Sequence, residues 1–287
     1  MRESRPVGLD YLAAVTELAQ AARLAHPTAG IWEAADLQWW WRADQHEDDR
    51  RQLFFLEADR PVAAVVLDAH PGRPMQCDLL QVDHGDRGLT ARLFERATEM
   101  LEAFSDQAVV LFVGGDDPLL ASLAAEAGFS DSEADVTAWL RAGDERPGPD
   151  LPAGFRLVTR AERAGVHHLA KRNGAAIAER LAQCSLYRPE LDLFIESEEG
   201  ETAAYGLFWA DPVTKVGLVE PVRTEEAYRG RGLAGHLVGR GLELLVQAGC
   251  RRCKISYDPA NEPAARAYLA RGFVPTTTSR ILLRPAG

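Results

Sequence analysis

The chain has 287 residues, 46% of them hydrophobic and 26% charged, which is the composition of a globular protein with room for about two domains. No apolar run approaches the ~20 residues of a membrane span, and the first residues lack the apolar region of a signal peptide. Four cysteines do not indicate the disulfide framework of a secreted protein. We therefore expect a cytoplasmic protein without a membrane partner.

The net charge of −11 is unevenly distributed along the chain. Residues 1–150 carry 13 Lys and Arg against 28 Asp and Glu, whereas residues 151–287 carry 19 against 15. A polyanionic ligand is therefore expected in the second half. The acidic first half argues against a nucleic-acid partner, because phosphate contacts require a basic surface. A solubilising acidic surface explains the first half equally well.

The first half begins with an amphipathic helix pattern and continues into a tryptophan-rich segment. Apolar residues recur at helical spacing from Leu9 to Leu24. Trp32 and the run Trp39–Trp41 follow, and three adjacent tryptophans cannot share one helix face. We expect them to pack in the core and against the other domain; a sugar-binding platform is the alternative. Strands are predicted at Leu53–Ala58, Val62–Asp68 and Met75–Val82.

Two stretches of the sequence repeat one pattern of elements. Gly88 precedes the pair Gly128-Phe129 by 40 residues, and Gly232 precedes Gly272-Phe273 by the same 40 residues. Each stretch reads helix, strand, loop, helix, and a last strand follows at residues 136–140 or 278–283. The segment 142–150 is polar and rich in proline and glycine, as linkers are. We therefore expect two tandem α/β domains, at residues 1–145 and 151–287.

The second copy begins with two helix patterns, at residues 160–171 and 175–183. Two strand patterns, at 191–196 and 202–210, flank a hairpin turn. A third strand, at 215–222, contains Pro221. Proline cannot donate to a sheet ladder, so the pairing of this strand is expected to stop or bulge there.

A glycine-rich turn follows this strand and opens a helix. The turn reads Tyr-Arg-Gly-Arg-Gly-Leu-Ala-Gly over residues 228–235. Unpaired N–H groups at a helix start attract anions, and glycines let phosphate oxygens approach the backbone. Arg229 and Arg231 add positive charge suited to phosphate. A plain structural turn is the alternative explanation for so short a motif.

The last helix is predicted to begin at Asn261 and to end at Gly272. Asn261 is a good N-cap, Pro263 is tolerated in the first turn, and glycine commonly ends a helix. Tyr268 lies two turns after Asn261 and therefore on the same helix face. A helix cap and a core tyrosine explain either residue taken alone.

Together these motifs resemble those of the GNAT acyltransferase superfamily. Arg229, Gly232 and Ala234 match the (Gln/Arg)-x-x-Gly-x-(Gly/Ala) signature that holds the pyrophosphate of coenzyme A. Residues 261–273 resemble the later motif Asn-x-x-Ala-x-x-x-Tyr-x-x-x-Gly-Phe. The resemblance implies an α/β (α+β) protein of two tandem GNAT-like domains, each a mixed, mostly antiparallel sheet flanked by helices. It covers residues 154–285 well and 8–142 as a decayed copy, a layout similar to that of mycothiol synthase and other two-domain GNAT acetyltransferases.

The resemblance also implies an acetyl-CoA site in the second domain. In this family the strand that carries Pro221 splays from its neighbour and opens a cleft, where the N–H of Val222 polarises the acyl carbonyl. Tyr268 protonates the departing thiolate, a transfer close to balance for a thiol of pKa about 8.5 and a phenol of about 10. The residues implied in cofactor binding are Val222, Arg229, Gly230, Arg231, Gly232, Leu233, Ala234, Gly235 and Asn261.

Glu220 lies beside this point and has two interpretations. It is either the general base for an incoming amine, directly or through water, or an exposed strand carboxylate without a role. The reaction implied is direct transfer of an acetyl group to a primary amine of a small molecule in a ternary complex, without a metal. Residues 171–183 and 185–188 border the acceptor pocket by family analogy. Glu196 and Glu220 would suit a cationic amine such as an amino sugar, polyamine, amino acid or peptide N-terminus.

The first copy departs from the family pattern. Gly85 and Asp86 stand where Arg229 and a glycine stand in the second copy, and Asp83 adds a second carboxylate that would repel pyrophosphate. The counterpart of Asn261 is Asp117, and that of Tyr268 is Ala124. We therefore interpret the first domain as a degenerate, non-catalytic relative.

Cys250 and Cys253 are interpreted as packed thiols, since no second Cys pair or His pair at zinc-finger spacing accompanies them. The alternative function is a non-catalytic CoA-binding sensor or scaffold whose acidic first domain recruits a partner. The presence of both Glu220 and Tyr268 speaks against it, because binding alone needs neither. The sequence does not indicate the oligomeric state or the acyl chain length.

Overall fold

The computed structural model describes residues 1–42, 46–69, 72–115 and 117–287. The strands are β1 (Arg2–Ser4), β2 (Gln52–Glu57), β3 (Arg60–Asp68), β4 (Met75–Gln81), β5 (Val109–Gly114), β6 (Ser130–Arg141), β7 (Phe155–Thr159), β8 (Asp192–Ser197), β9 (Thr202–Ala210), β10 (Val216–Thr224), β11 (Arg252–Tyr257) and β12 (Val274–Arg284). The helices are α1 (Gly8–Ala25), α2 (Ala34–Trp40), α3 (Arg87–Glu102), α4 (Pro118–Glu126), α5 (Ala170–Asn173), α6 (Ile177–Gln183), α7 (Leu233–Gln247) and α8 (Glu262–Ala270).

The chain divides into two compact units. The first contains Met1–Asp135 together with Thr277–Gly287, and the second contains Val136–Thr276. The predicted boundary lies in segment 142–150, whereas the observed division lies before it. That segment belongs to the second unit, and the C-terminal residues belong to the first.

In the first unit, six strands form a sheet in the order β1-β2-β3-β4-β5-β12. Neighbouring strands run antiparallel, except that β4 and β5 pair in parallel over the three pairs from Met75–Val109 to Cys77–Leu111. Helices α1 and α3 both pack against β3 and β4. Leu93 and Phe94 of α3 lie in the apolar core of this unit with Leu120 of α4.

The second unit repeats this arrangement in the order β6-β11-β10-β9-β8-β7. Its strands are also antiparallel except for one parallel pair, β10 and β11. The long helix α7 packs on β8, β9 and β10 and contributes Leu233, Leu237 and Leu242 to the core. The mixed, mostly antiparallel sheet flanked by helices that the sequence predicts for each domain is confirmed.

Each unit takes one strand of its sheet from the other repeat. Residues 136–141 of β6 pair with β11, although β6 follows the last helix of the first repeat. Residues 279–284 of β12 pair with β5, although β12 follows the last helix of the second repeat. The sequence predicts both strands but assigns each to its own copy. Both follow the same helix-Gly-Phe pattern, so local pattern alone does not distinguish the two pairings.

The helix predicted over residues 160–171 is wrong. A single 3-10 turn, Arg160–Glu162, begins with a capping box between Thr159 and Glu162 and ends at once. Gly165 then adopts a left-handed φ of +91°, which an α-helix does not accommodate. Only the four residues of α5 form a helix at the end of this stretch.

The adjacent tryptophans of the first unit are buried at the end of α2 and just after it. Trp40 meets the ring of Trp32 at 4.7 Å, and Trp41 stacks on Tyr11 at 6.2 Å. The guanidinium carbon of Arg42 lies 4.1 Å from the ring of Trp39. These partners all lie within the first unit, which supports packing rather than a sugar platform.

Among the described residues, none of the helices combines the length and the apolar character needed to cross a membrane.

Candidate active site

The candidate site lies where β10 and β11 separate. These strands pair only from Val216–Arg252 to Leu218–Lys254. Strand β10 then continues to Thr224 alongside β9, whereas β11 continues to Tyr257 alongside β6. The two strands therefore splay apart beyond Leu218, as the family resemblance implies, and an opening forms between them.

A bulge in β10 stands at the start of this opening. The register with β9 shifts between Val219 and Val222, so that β10 carries one more residue than its partner there. The Glu220–Pro221 peptide inside the bulge is cis. The irregularity predicted from Pro221 is confirmed.

The backbone N–H of Val222 points away from β9. Glu225 donates its N–H to the carbonyl of Ala203 at 2.9 Å, which makes these residues a hydrogen-bonded pair. Such pairs alternate along an antiparallel ladder, so Arg223 belongs to the next hydrogen-bonded pair and Val222, opposite Gly206, does not. The N–H of Val222 is therefore directed toward the edge that β11 has left.

The turn after β10 enters α7 through two glycines in the left-handed region. Gly230 has a φ of +76° and Gly232 a φ of +79°, and a Cβ at residue 230 would meet open space. Gly232 is the N-cap of α7, and the N–H of His236 donates to its carbonyl. The N–H groups of residues 233–235 precede this first helical bond and have no acceptor within the helix. They form the kind of helix start that binds phosphate.

The side chains of this turn differ in what they can offer. Arg229 and Arg231 are exposed, and the guanidinium of Arg231 lies 5.8 Å from the ring of Phe155 and 5.5 Å from that of Tyr228. Leu233 is only 1% exposed and its side chain lies in the apolar core. Only its backbone N–H could therefore bind an anion.

Helix α8 holds Tyr268 near the carboxylate of Glu220. Asn261 caps the helix, since its side-chain oxygen accepts the N–H of Ala264 at 3.3 Å. The ring of Tyr268 is buried and lies 5.6 Å from that of Tyr257, the last residue of β11. Burial raises the pKa of the Tyr268 phenol to about 12, and the negative charge of Glu220 contributes to this rise. The two groups therefore interact electrostatically.

Glu196, one of the acidic side chains expected around the cleft, and Glu225, which follows β10, are both paired with arginines. Glu196 accepts hydrogen bonds from Arg156, at 2.8 Å, and from Arg163. Burial opposes the ionisation of Glu196, but these two arginines outweigh it and lower the pKa of the carboxyl. Hydrogen bonds from Arg172, at 3.0 and 2.5 Å, lower the pKa of Glu225. The expectation that Glu196 attracts a cationic amine is not supported, because its charge is balanced.

In the first unit, a side-chain carboxylate takes the place of an anion at the corresponding helix start. Asp86 is the N-cap of α3 and accepts the N–H of Leu89 at 2.9 Å. Asp83 accepts the N–H of Gly85 at 2.9 Å. One N–H of the helix start, that of Leu89, and one N–H of the preceding turn, that of Gly85, are therefore already occupied by carboxylates.

The remaining parts of the first unit also differ from the second. The described pairing of β3 with β4 is continuous from Ala63–Gln81 to Asp68–Gln76, without a bulge. Asp117 caps α4 as Asn261 caps α8, through a 3.0 Å bond from the N–H of Leu120. The fully buried Ala124 stands where α8 carries a tyrosine.

His167, His168 and Asp192 form a buried group that could be considered as a metal site, because their ligand atoms lie within 4.8 Å of one another. The N–H of Leu169 donates to Nδ1 of His167 at 3.2 Å, which places the proton of a neutral ring on Nε2. That nitrogen lies 3.1 Å from Oδ2 of Asp192, and Tyr187 donates its hydroxyl to the same oxygen at 2.8 Å. A metal would need the lone pair of Nε2, so a hydrogen-bonded cluster describes this group better.

The same group illustrates what the sequence does not reveal. Burial disfavours the charge of Asp192, but the imidazoles of His167 and His168 outweigh it and lower the pKa of the carboxyl.

Trp209 donates its indole N–H to the carbonyl of Glu220 at 2.7 Å, inside the bulge. Sequence reasoning missed these residues because their partners are distant in the chain. The sole local signal is an isolated tryptophan at the end of an apolar strand.

Comparisons with known proteins agree with this geometry. Residues 171–273 match the family model described as the acetyltransferase (GNAT) family. Over 294 aligned residues the chain is 27% identical to a mycothiol acetyltransferase from Nocardioides sp., an alignment that covers 92% of this chain and 94% of the relative. It is 36% identical over 72 residues to a mycothiol acetyltransferase from Corynebacterium aurimucosum, which covers 24% of each chain.

Solved structures show the same fold along the whole chain. A tandem GNAT protein from the clavulanic acid biosynthesis pathway superposes with a TM-score of 0.69 at 18% identity and covers 100% of this chain and 99% of its own. A GCN5-related N-acetyltransferase from Sphaerobacter thermophilus gives a TM-score of 0.66 at 16% identity, with 99% and 95% covered. The tandem GNAT resemblance predicted from the sequence is confirmed.

Proposed function

We propose, from the premise that the second unit carries a GNAT-family acetyltransferase domain, that this protein transfers the acetyl group of acetyl-CoA to a primary amine of a small molecule. One observation carries the proposal. The N–H of Val222 is directed into the opening between β10 and β11, where Glu220 and Tyr268 also interact. This arrangement supports a mechanism in which a donor for a carbonyl oxygen acts beside a proposed base and a proposed acid.

The turn after β10 would hold the pyrophosphate of acetyl-CoA. Its backbone N–H groups at residues 233–235 supply donors without side-chain competitors, and the exposed Arg229 and Arg231 supply charge. Gly230 and Gly232 fit this role because neither places a Cβ between the backbone and an anion. Asn261 would contact the pantetheine arm with the amide group that its capping bond leaves available.

Glu220 and Val222 would act on the two reacting partners. Glu220 takes a proton from the amine, directly or through water, so that the free nitrogen can attack the thioester carbonyl. The N–H of Val222 donates to the carbonyl oxygen as negative charge develops on it, which is the role of an oxyanion-hole donor. No side chain forms a covalent bond to the acetyl group in this scheme.

Tyr268 would give its hydroxyl proton to the CoA thiolate as the C–S bond breaks. With a pKa of about 12, the phenol is a weaker acid than the balance predicted from ordinary values. Part of this rise comes from the negative charge of Glu220, and that charge disappears when Glu220 accepts the proton of the amine. The base step therefore makes Tyr268 a stronger acid at the moment when the thiolate forms.

The acceptor is proposed to be a small amine bound beside α5 and α6. The ion pair of Arg172 with Glu225 joins α5 to the segment that follows β10, so this side of the opening is fixed in place. The names of the two relatives make a mycothiol-related amine the first compound to test. Amino sugars, polyamines and amino acids complete the panel.

The first unit is proposed to be non-catalytic. The carboxylate of Asp86 takes one helix-start donor, that of Asp83 takes a donor of the preceding turn, and Ala124 stands in place of the proposed acid. One acetyl-CoA should therefore bind per chain, which calorimetric titration of the full-length protein measures. Two sites would contradict this division between the units.

The test of the function is acetyl transfer by the full-length protein, measured as release of the CoA thiol with each amine of the panel. We expect turnover with at least one amine and a loss of about 100-fold or more in kcat for Glu220→Gln. Glu226→Gln, which changes an exposed carboxylate in the next turn, is the matched control. Binding of acetyl-CoA without turnover of any amine would favour the sensor or scaffold function instead, and no binding would contradict both.

A further inference from the structure

We propose that Trp209 is a positioning residue that fixes the bulge of β10 and so aims the N–H of Val222 and the carboxylate of Glu220. The expected change in kcat rests on the proposed function, whereas the expected effect of Trp209 on the bulge does not. The indole N–H of Trp209 donates to the backbone carbonyl of Glu220 at 2.7 Å.

The bulge takes this carbonyl out of the regular ladder with β9. Within the bulge, β10 carries one residue more than β9, and Pro221 has no N–H to contribute. The ladder to β11 has already ended at Leu218. A side-chain donor that reaches a half-buried carbonyl outside the ladder stabilises one orientation of the peptide. Trp209 is that donor.

The indole is held firmly enough to serve this purpose. Trp209 is only 1% exposed and stands opposite Leu218, one residue before Val219, at which the regular pairing of β10 with β9 stops. Its ring meets that of Tyr187 edge-on at 6.2 Å. The hydroxyl of Tyr187 is in turn fixed by Asp192 at 2.8 Å. The buried cluster of His167, His168 and Asp192 thus supports the tryptophan through Tyr187.

Phe208, the residue before Trp209 in β9, faces the opposite side of the sheet. Packing under α7 and support of the bulge therefore depend on different residues. Phe208 belongs to the core that α7 covers, as does Val219 opposite it. Trp209, one residue further along β9, points to the opposite face of the sheet. Removing its hydrogen bond should therefore disturb the bulge without disturbing the packing under α7 or the phosphate turn at its start.

Two replacements in the full-length protein test this inference. Trp209→Phe removes the hydrogen-bond donor and replaces the indole by a smaller ring. Substitution of 3-benzothienylalanine at residue 209 removes the N–H while keeping the shape of the indole. Trp41→Phe, a buried tryptophan of the first unit, is the matched control. We expect kcat to fall by about 10- to 100-fold in both replacements at residue 209, because a displacement near 1 Å is enough to cause such a loss. The dissociation constant of acetyl-CoA should stay within threefold.

A second readout separates this inference from the proposed function. Amide hydrogen exchange of a peptide that covers residues 219–224 should be faster in both replacements at residue 209 and unchanged in Trp41→Phe. Wild-type kcat and wild-type exchange would overturn the positioning role while leaving the transfer activity intact. If the wild-type protein acetylates no amine, the proposed function fails, and exchange alone decides: faster exchange supports the role of Trp209 in the bulge, and unchanged exchange overturns it.

Discussion

The ring of Phe208 lies against the backbone of Gly241, so closely that a Cβ atom at residue 241 would stand 2.1 Å from Cε1 of the phenylalanine. The contact joins β9 to the middle of α7 and sets the distance between helix and sheet. Real Cβ atoms do not approach another carbon at such a distance, and the phenylalanine is buried. The glycine is therefore required by packing, since a helical position would otherwise favour alanine.

Gly241→Ala should destabilise the protein. Overpacking of a close-packed site typically costs about 1–3 kcal/mol, which exceeds the roughly 1 kcal/mol that alanine gains in a helix. Urea unfolding measures the change in the free energy of unfolding. Arg240→Ala, at the exposed neighbouring position, should stay within about 0.5 kcal/mol of the wild type. Equal stability of Gly241→Ala and the wild type would show that the helix moves freely on the sheet.

Tyr268→Phe should lower kcat by about 100-fold while the dissociation constant of acetyl-CoA stays within threefold, because the hydroxyl acts on the leaving group. The comparison needs steady-state kinetics of both proteins with one amine, and calorimetry for the binding constant. Tyr257→Phe, at the ring that packs on Tyr268, is the matched control. An unchanged kcat in Tyr268→Phe would remove the tyrosine from the mechanism.

The dependence of kcat on pH should reflect the raised pKa of Tyr268. The phenol of Tyr268 must be protonated to act as an acid, and a pKa of about 12 keeps it protonated well above pH 10. We therefore expect no loss of kcat from Tyr268 between pH 7 and pH 10, where an ordinary tyrosine would begin to ionise. The measurement is kcat against pH for the wild type. A decline in this range that is missing from the residual activity of Tyr268→Phe would contradict it.

Asp86→Ala should destabilise the first unit by about 1 kcal/mol, because the helix α3 loses the side-chain acceptor that caps it. Asp86→Asn retains an N-cap acceptor and should remain within about 0.5 kcal/mol of the wild type. Thermal unfolding compares the three proteins. Neither change should add a second acetyl-CoA site, since Asp83 and Ala124 remain.

All four cysteines are free and buried, and their thiols should be unreactive in the native protein. Burial raises the pKa of Cys184 to about 12 and that of Cys250 to about 11. At pH 8 the thiolate fraction is therefore far below that of an ordinary thiol of pKa about 8.5. Titration with a thiol reagent at pH 8 should label less than one cysteine per native chain and all four after unfolding. Rapid labelling of the native protein would contradict the packed-thiol interpretation of Cys250 and Cys253.

Much of the fold could be predicted because the deciding signals are local. Periodicity places α7 and the strand that contains Pro221, and Asn261 with Gly272 brackets α8 to within two residues. The bulge follows from the missing N–H of a single proline. The prediction of a helix over residues 160–171 was wrong because it relied on the spacing of apolar residues and disregarded Gly165. The left-handed conformation of Gly165 interrupts the stretch.

The site is less predictable than the fold because its energetics depend on distant residues. Glu196 appears in the sequence as an unpaired acid, and only the folded chain brings Arg156 and Arg163 to it. The pKa of Tyr268 depends on its burial and on Glu220, which lies 48 residues earlier. The bond from Trp209 to the bulge has no sequence signature. Such effects arise from contacts between residues that are distant in the chain. A sequence motif identifies some of these residues but not the contacts between them.

The exchange of strands between the two repeats has a consequence for synthesis of the protein on the ribosome. The strand that pairs with β5, residues 279–284, is translated about 150 residues after the rest of the first unit. The edge of β5 in the nascent first unit therefore stays unpaired while those residues emerge, which takes on the order of 10 s at typical rates of synthesis. An exposed edge strand invites association with other chains during that interval. Messages translated faster after codon 135, or chaperones that cover the edge, should raise the yield of native protein.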